Sequence, residues 1–301
     1  MQATLLPPRS QAHCTPITSN RSLGDCLIAN IPIKKLFSTE LSRAGMQLVD
    51  PEGACERTLR IPIDNWIELG ALLMLARNEG STCLLDEDGA LLAWKGKEDP
   101  GECEEKITTN ADCFAIRYPW DFLKMNEEIL SMMDESSLKG EISKATHIDG
   151  VVRIAEGTRI LPGTVIEGPV VIGPNCTIGP NAYIHGATSI AADCHIGHGA
   201  EIGNSIIYDK TSIGAQCSID NSVIGHNVTL GAGTCTQTHR HDGRLHTSLI
   251  EGEEVTTGRY KLGAMIGDGV RTGVNTSLQA GIKVGVARTT GPGAVVDKDM
   301  M

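Results

Sequence analysis

A repeat of isoleucine at every sixth position is the dominant hydrophobic pattern in this chain. Residues 148–202 carry it without exception, at Ile148, Ile154, Ile160, Ile166, Ile172, Ile178, Ile184, Ile190, Ile196 and Ile202. Neither the 3.6-residue period of an α-helix nor the alternation of a simple strand gives this spacing. A chain that turns a corner every six residues does, because each side of the coil then buries one aliphatic side chain. The pattern predicts a parallel β-helix of hexapeptide repeats.

The positions two residues before each isoleucine hold small or β-branched side chains, which leave room at the corners of a narrow prism. Cys176 and Cys194 are 18 residues apart, and Thr272 and Thr290 have the same spacing. Three sides per coil would stack each pair on neighbouring coils. We expect six to seven coils over about 146–299.

The period slips at Ile207 and Ile224, and it is lost over residues 235–261 before it resumes at Ile266. A stretch without the repeat cannot follow the sides of the prism. It therefore predicts an inserted loop, and loops of this kind usually gather on the working face of a repeat protein.

Residues 1–118 show a different pattern, which predicts a small mixed α/β domain. Apolar residues at helical spacing predict helices from Ile33 to Ala44 and from about Asn65 to Arg77. Two apolar segments around Asp88-Gly89 predict a β-hairpin. The predicted organisation is a small α/β domain at 1–118, a connecting helix and linker at 119–145, and a β-helix at 146–301 with an inserted loop at 235–261.

Composition narrows the class of partner and the compartment. Lys and Arg number 26 against 37 Asp and Glu, a net charge of −11, which disfavours nucleic acid and anionic membrane surfaces as partners. No apolar run reaches the ~20 residues of a transmembrane helix, and no signal peptide is evident at the N-terminus. The ten cysteines form no CxxC pair and no regular framework, so we expect reduced, buried thiols in a cytoplasmic protein.

Two segments resemble a known enzyme family. Thr257–Gly285 (TGRYKLGAMIGDGVRTGVNTSLQAGIKVG), together with GAGTCT at 231–236, resembles the acetyltransferase half of archaeal-type bifunctional sugar-1-phosphate nucleotidyltransferases. Residues 118–127 resemble the segment that joins their two halves. The resemblance implies a left-handed β-helix, acetyl-CoA as co-substrate, an amino-sugar phosphate or nucleotide-sugar as acceptor, and a homotrimer.

The chain departs from this family in two places. Residues 1–60 lack the Gly-rich loop, with its Arg and Lys, that holds nucleotide phosphates in the family, and the N-terminal domain is about half the family's size. We therefore expect a degenerate nucleotidyltransferase-like domain without nucleotide transfer. In the β-helix, Gly214 and Ala215 stand where the family has a Pro-His pair whose histidine is the general base. An alanine cannot accept a proton.

Histidines in the inserted loop are the candidates to replace this base. Acetyl transfer needs a group that accepts a proton near pH 7, and histidine is suited to that role. His239, in the run Thr-Gln-Thr-His, is the first candidate, and His241 is the second. We expect Asp242 to orient one imidazole, as the third group of a base arrangement does.

Other candidates come from the resemblance. Thr238 and Arg244 replace an Asn and a Lys of the family and are expected to contact substrate, as is Asn275 in the TG-x-N run. Arg259 and Lys261 lie in a basic stretch shared with the family and are expected to bind CoA or a substrate phosphate. Arg271 and Lys283 are expected to be solvated.

Two alternative functions remain open. The loss of the base at Ala215 favours a catalytically inactive relative that binds sugar nucleotides or scaffolds a partner enzyme. A zinc enzyme resembling γ-class carbonic anhydrases requires a histidine followed by another five residues later. His226 has Gly231 at that spacing, and His241 with His246 lies off the coil. No metal site is therefore expected.

Overall fold

A computed structural model describes residues 1–8, 13–96, 100, 103–109 and 112–301. The chain forms two compact units. The first consists of Met1–Ala12, Ser22–Cys26 and Ile31–Arg117, and the second of His13–Arg21, Leu27–Asn30 and Tyr118–Met301. Two short segments of the N-terminal half therefore belong to the same unit as the repeats.

The described residues contain three α-helices, namely α1 (Ile33–Arg43), α2 (Leu69–Arg77) and α3 (Asp121–Ser131), and two 3-10 turns at Leu23–Asp25 and Pro51–Gly53. Helix α1 confirms the prediction from its apolar spacing. Helix α2 begins later than predicted, because Asn65 and Trp66 form a short strand that pairs with Phe114 and Ala115. The helix buries Ala71, Leu72 and Leu75.

The N-terminal strands, in chain order, are β1 (Gln2–Leu6), β2 (Leu27–Ile28), β3 (Ile31–Pro32), β4 (Gln47–Leu48), β5 (Leu59–Pro62), β6 (Asn65–Trp66), β7 (Thr82–Leu85), β8 (Leu91–Lys95), β9 (Glu105–Thr108) and β10 (Phe114–Ala115). The main sheet of the first unit has the order β4-β1-β5-β8-β7-β9 in the described residues. Strands β7 and β8 are antiparallel and confirm the predicted hairpin.

One disulfide corrects the expectation that all cysteines are reduced. Cys83 of β7 is bonded to Cys103. Because many pairings are compatible with ten cysteines, their spacing does not reveal this one. The other described cysteines are free, and two of them, Cys55 and Cys235, are exposed rather than buried.

The strands of the second half are short and evenly spaced: β11 (Ser137–Leu138), β12 (Glu141–Ile142), β13 (His147–Asp149), β14 (Val152–Ile154), β15 (Arg159–Ile160), β16 (Val165–Glu167), β17 (Val170–Ile172), β18 (Thr177–Ile178), β19 (Tyr183–His185), β20 (Thr188–Ile190), β21 (His195–Ile196), β22 (Glu201–Gly203), β23 (Ile206–Ile207), β24 (Ser212–Ile213), β25 (Ser218–Asp220), β26 (Val223–Ile224), β27 (Thr229–Leu230), β28 (Cys235–Thr236), β29 (Thr247–Ile250), β30 (Glu253–Thr256), β31 (Met265–Ile266), β32 (Ser277–Leu278), β33 (Lys283–Val284) and β34 (Val295–Val296).

These strands form a left-handed parallel β-helix, as predicted. Apart from the hairpin β29–β30, they fall into three parallel sheets of eight, six and eight strands. The six-stranded sheet ends at β27, and the last coils continue this side only through the isolated bridges of Arg271 with Thr229 and Thr289. The register stacks isoleucines of successive coils on one another: Ile178 pairs with Ile196, and Ile196 pairs with Ile213. All three side chains are fully buried. The isoleucine ladder is thus the core of the prism.

The prediction of six to seven coils was too low. The first coil begins at β11, before residue 146, and Leu138 rather than isoleucine is paired with Ile154 of the next coil. The slip of the period is also explained. Ile190 pairs with Ile207, so the coil is one residue shorter at the corner where Asn204 adopts a left-handed conformation, with φ of 41°.

The sheet that contains β20, β23, β26 and β31 is covered by other segments of the second unit. The outward side chains of its middle strands are apolar and buried, as at Ile206, Val223 and Met265. Buried Asn126 of α3 connects the covering segments to the β-helix. Its Nδ2 donates to the Ala187 carbonyl (2.7 Å), and its Oδ1 accepts from the Ala29 N–H (2.9 Å). Both neighbouring segments are thereby joined to the coil.

Candidate functional site

The inserted loop leaves the coil after β28 and returns at β31. Between them lies the antiparallel hairpin β29–β30. At the base of the loop, His239 and Lys261 form an antiparallel bridge, and the Leu262 N–H donates to the Thr238 carbonyl at 3.0 Å. The two ends of the loop are therefore held side by side where they meet the prism.

His246 is a structural residue of this loop. It is 2% exposed, and its Nε2–H donates to the Thr238 carbonyl at 2.9 Å. Its backbone N–H donates to the Arg259 carbonyl at 2.8 Å, and the Thr257 hydroxyl donates to the His246 carbonyl at 2.9 Å. Burial lowers the pKa of His246 below 6.5, so its imidazole is neutral at pH 7.

The lowered pKa of His246 predicts that the loop loosens in acid. The folded state resists protonation of this imidazole, whereas the unfolded state accepts a proton at the ordinary pKa of 6.5. Stability from this group is therefore complete at higher pH and is lost as the pH falls below about 6.5. Hydrogen exchange of residues 239–262 at pH 7.5 and 5.5, corrected for the intrinsic rate, should show faster opening in acid. His246→Asn should remove that dependence and exposed His241→Asn should keep it; equal behaviour of the two variants would contradict the assignment.

Lys283 anchors the hairpin to the prism, contrary to the expectation that it is solvated. The side chain is 4% exposed. Its Nζ donates to the Ser248 hydroxyl (2.9 Å) and the Leu249 carbonyl (2.6 Å), and it lies 3.1 Å from an Asp299 carboxylate oxygen. Strand β29 buries this lysine. Because β29 lies far from residue 283 along the chain, the local sequence around Lys283 did not reveal the burial.

We expect Lys283→Met to release the hairpin. The change removes the ammonium that contacts the Ser248 hydroxyl, the Leu249 carbonyl and the Asp299 carboxylate. It should lower the free energy of local opening of the hairpin by about 2 kcal/mol, because hydrogen bonds from a buried charged group are lost. Hydrogen exchange of β29 and β30 should rise while that of β18 and β21 stays unchanged. Lys298→Met, at an exposed lysine, is the matched control. Equal exchange in the two variants would show that Lys283 does not hold the loop.

A pocket of about 390 Å³ lies against the loop and contains both candidate bases. It is lined by Gln237, His239, Arg240, His241, Asp242, His246, Thr247, Gln279 and Ala280. His239 is exposed, and its Nδ1 lies 3.0 Å from the Thr238 hydroxyl oxygen. In the tautomer with the proton on Nδ1, this N–H donates to the hydroxyl and the Nε2 lone pair is free to accept a proton.

His241 is held differently. The Gln237 amide nitrogen lies 3.4 Å from His241 Nε2 and donates to the His239 carbonyl at 3.2 Å. The amide therefore competes for the lone pair that a base would use. Asp242, expected to orient an imidazole, is instead bound by both guanidinium nitrogens of Arg240 at 2.9 and 2.7 Å, which lowers the pKa of its carboxyl.

The remaining candidates are spread around the loop. Arg259 forms an ion pair with Glu127 of α3. Lys261 and Arg244 are exposed, and the Arg244 N–H donates to Asp242 at 3.1 Å. Asn275 lies at an exposed corner of the prism with φ of 54° and does not line the pocket among the described residues. The structure thus groups the two histidines and leaves Asn275 and Arg259 apart from them.

Several lining residues had no role assigned from the sequence, among them Gln237, Arg240 and Gln279. Gln237 lies inside the Thr-Gln-Thr-His run, so its position was visible but its contact with His241 was not. Gln279 reaches the pocket because Thr236 pairs with Leu278 of the next coil. Only the register between coils brings it there.

In the coil before Ala215, the equivalent corner position is a histidine, His198. The Gln216 N–H donates to the His198 carbonyl at 2.8 Å, and the Gly233 N–H donates to the Ala215 carbonyl at 2.9 Å. His198 and Ala215 therefore occupy equivalent corners of consecutive coils. His198 is exposed at this corner.

The structure gives no support to a zinc site. Among the residues that it describes, no three His, Cys, Asp or Glu side chains are grouped to hold a metal ion. His246, which has the required spacing from His241, uses its Nε2–H on a carbonyl.

In the described part of the chain, no helix combines the length and the apolarity needed to cross a membrane.

Comparison with known proteins identifies the repeats. Residues 166–279 match the family model described as the GMPPB C-terminal domain. The chain is 41% identical over 185 residues to the bifunctional protein GlmU of Methanococcus maripaludis, covering 62% of this chain and 44% of that protein. It is 36% identical over 185 residues to the bifunctional sugar-1-phosphate nucleotidylyltransferase/acetyltransferase of Sulfurisphaera tokodaii, covering 62% and 46%. It is 39% identical over 151 residues to the uncharacterized acetyltransferase YaiX of Escherichia coli, covering 50% and 66%.

The match is limited to part of each relative. The chain spans less than half the length of the GlmU and nucleotidylyltransferase/acetyltransferase relatives that it matches.

Proposed function

We propose, from the similarity of its β-helix to the acetyltransferase relatives, that the chain transfers an acetyl group from acetyl-CoA to an amino-sugar phosphate or a nucleotide-sugar. The observation that carries the proposal is His239, exposed in the loop pocket with its Nδ1 3.0 Å from the Thr238 hydroxyl oxygen. An oriented imidazole with a free Nε2 is the group that acyl transfer requires.

In the proposed reaction, the acceptor amine or hydroxyl attacks the thioester carbonyl of acetyl-CoA. His239 Nε2 takes the proton of the attacking group as the new bond to the carbonyl carbon forms. Collapse of the tetrahedral intermediate breaks the carbon–sulfur bond, and the proton is returned to the CoA sulfur. An N–H donor must stabilise the oxyanion, and the side-chain amides of Gln237 and Gln279 are the neutral donors lining the pocket.

Cationic side chains for the substrate phosphates are available near the pocket. Arg244 and Lys261 are exposed and form no ion pair with any described residue. Arg240 is engaged with Asp242, and Arg259 with Glu127. We therefore assign phosphate contacts to Arg244 and Lys261 first, and to Arg259 only if substrate displaces Glu127.

The proposal includes assembly as a homotrimer. The loop pocket is open to solvent on one side, so a second copy can supply the missing wall and exclude water. Light scattering that gave a monomer at micromolar concentration would contradict a site between subunits. The proposal also includes a cytoplasmic location, the compartment in which we expect acetyl-CoA to be supplied, although the disulfide at Cys83 is uncommon in a reducing compartment.

The rival function is a catalytically inactive binding or scaffolding relative, which the alanine at position 215 favours. Turnover separates the two: the full chain is incubated with acetyl-CoA and a panel of amino-sugar phosphates and nucleotide-sugars, and free CoA thiol and acetylated product are both measured. Acetylated product supports the enzyme. Hydrogen exchange with and without CoA tests binding without an acceptor. Absence of product, together with unchanged exchange of residues 235–261 at saturating CoA, would overturn the proposal.

A further inference from the structure

The first unit contains a separate pocket of about 640 Å³, within the size range of small-molecule sites. It lies on one face of the main sheet and extends past the end of β1 to Pro7 and Pro8. Its floor is a row of side chains from three adjacent strands, because Thr4 of β1 pairs with Arg60 of β5, and Arg60 pairs with Trp94 of β8. All three line the pocket.

Arg60 supplies a buried positive charge. The residue is 7% exposed, and its Nη1 donates to the carbonyls of Cys55 (3.2 Å), Thr58 (3.3 Å) and Gly96. No Asp or Glu among the described residues forms an ion pair with it. The three carbonyls use one nitrogen, so the rest of the guanidinium fork remains for another partner. A buried charge without a counter-ion is costly, and an anion would offset that cost.

Thr4 points to the same partner independently. The residue is fully buried, and its hydroxyl has no hydrogen-bond partner among the residues that the structure describes. A buried hydroxyl without a partner destabilises the folded state. Thr4 neighbours Arg60 on the same face of the sheet, so one bound group can accept from both side chains.

Apolar side chains form part of the pocket wall. Leu6, Trp94 and Pro51 line it, and exposed Glu52 is the only carboxylate among the described lining residues. Proline and indole surfaces pack against rings and other flat bodies. The site therefore combines one anion-binding end with a surface for a planar apolar group.

We propose that this pocket binds a small organic anion with a planar body, its carboxylate or phosphate held by Arg60 and Thr4 and its ring packed on Trp94. The site belongs to the first unit and is independent of the proposed acetyl transfer. A planar guanidinium beside a hydroxyl matches the oxygens of either anionic group.

Phenyl phosphate, benzoate and the neutral benzyl alcohol are suitable probes, titrated into the full chain by calorimetry and by tryptophan fluorescence. We expect one or both anions to bind and the alcohol not to bind. The anion that binds more tightly identifies the group recognised. Trp94→Phe should abolish the fluorescence change. Failure of both anions to bind at 10 mM, a concentration about tenfold above the weakest Kd typical of specific ligands, or equal binding of the alcohol, would overturn the proposal.

Thr4→Val separates binding from folding. The change keeps the shape of the side chain and removes a hydroxyl that has no partner, so the free protein should be as stable as the original or more stable. Binding of the anion should weaken about tenfold, because a hydrogen bond to a charged group is lost. Arg60→Lys should weaken binding at least as much. Unchanged binding in Thr4→Val would refute the site, whether or not the arginine variant folds.

Discussion

His239→Ala is expected to lower kcat for acetyl transfer by about 10²–10⁴-fold, the usual contribution of a general base. KM should change little, because the imidazole accepts a proton during the reaction and need not bind the ground state. His195→Ala is the matched control: His195 is also exposed, but it lies on the sheet that contains β18 and β24 rather than in the loop. Its rate should be unchanged.

The variants around His239 distinguish the base from a merely structural histidine. Thr238→Val should lower kcat less than His239→Ala, because the hydroxyl orients the imidazole without taking the proton. His241→Ala should have a small effect, since Gln237 lies against its Nε2. If His239→Ala retains full activity while His198→Ala loses it, the base is instead the corner histidine next to Ala215.

The core of the β-helix could be predicted because its signal is local and repeated. Each isoleucine is buried for the same reason as the one before it, so the period of six specifies the fold. The first coil was missed because Leu138 and Ile142 are too few and too irregularly spaced to extend the ladder by themselves. Their membership becomes visible only from their pairing with Ile154 and Ile160.

Features that depend on distant partners could not be predicted. Lys283 has the sequence context of a solvated lysine, and its burial depends on Ser248 and Leu249 in the loop. Residues 27–30 have no repeat of their own, yet Asn30 donates to the Ile190 carbonyl at 2.6 Å and belongs to the second unit. Hydrophobic periodicity carries no information on such contacts.

The candidate site was predictable in its location but not in its internal bonds. Loss of the period over 235–261 and the histidines within it indicated where the candidate pocket would lie. The sequence did not indicate that Arg240 would bind Asp242 and leave His239 to Thr238. Asp242 lies within three residues of Arg240, His241 and His239, so the spacing alone allows it to contact the arginine or an imidazole. The bidentate geometry of an arginine with a carboxylate favours the observed pairing.

Ile196→Ala is expected to destabilise the β-helix by about 2–5 kcal/mol, the cost of a large-to-small change in a well-packed core. Ile196 is fully buried between Ile178 and Ile213, so its loss leaves a cavity bounded by both neighbouring coils. Ile196→Val should cost only about 0.5–1.5 kcal/mol. Ser212→Ala, at an outward position of β24, should stay within about 0.5 kcal/mol of the original.

Position along the prism supplies a second test of the same prediction. Each coil of a solenoid packs only on its neighbours, so stability is a sum over adjacent coils. Ile148 is only partly buried, and Ile148→Ala should therefore cost less than Ile196→Ala. Urea unfolding followed by circular dichroism, with hydrogen exchange of β18, β21 and β24, measures both. Equal midpoints for Ile148→Ala and Ile196→Ala would mean that burial within the ladder does not determine the stability of the coils.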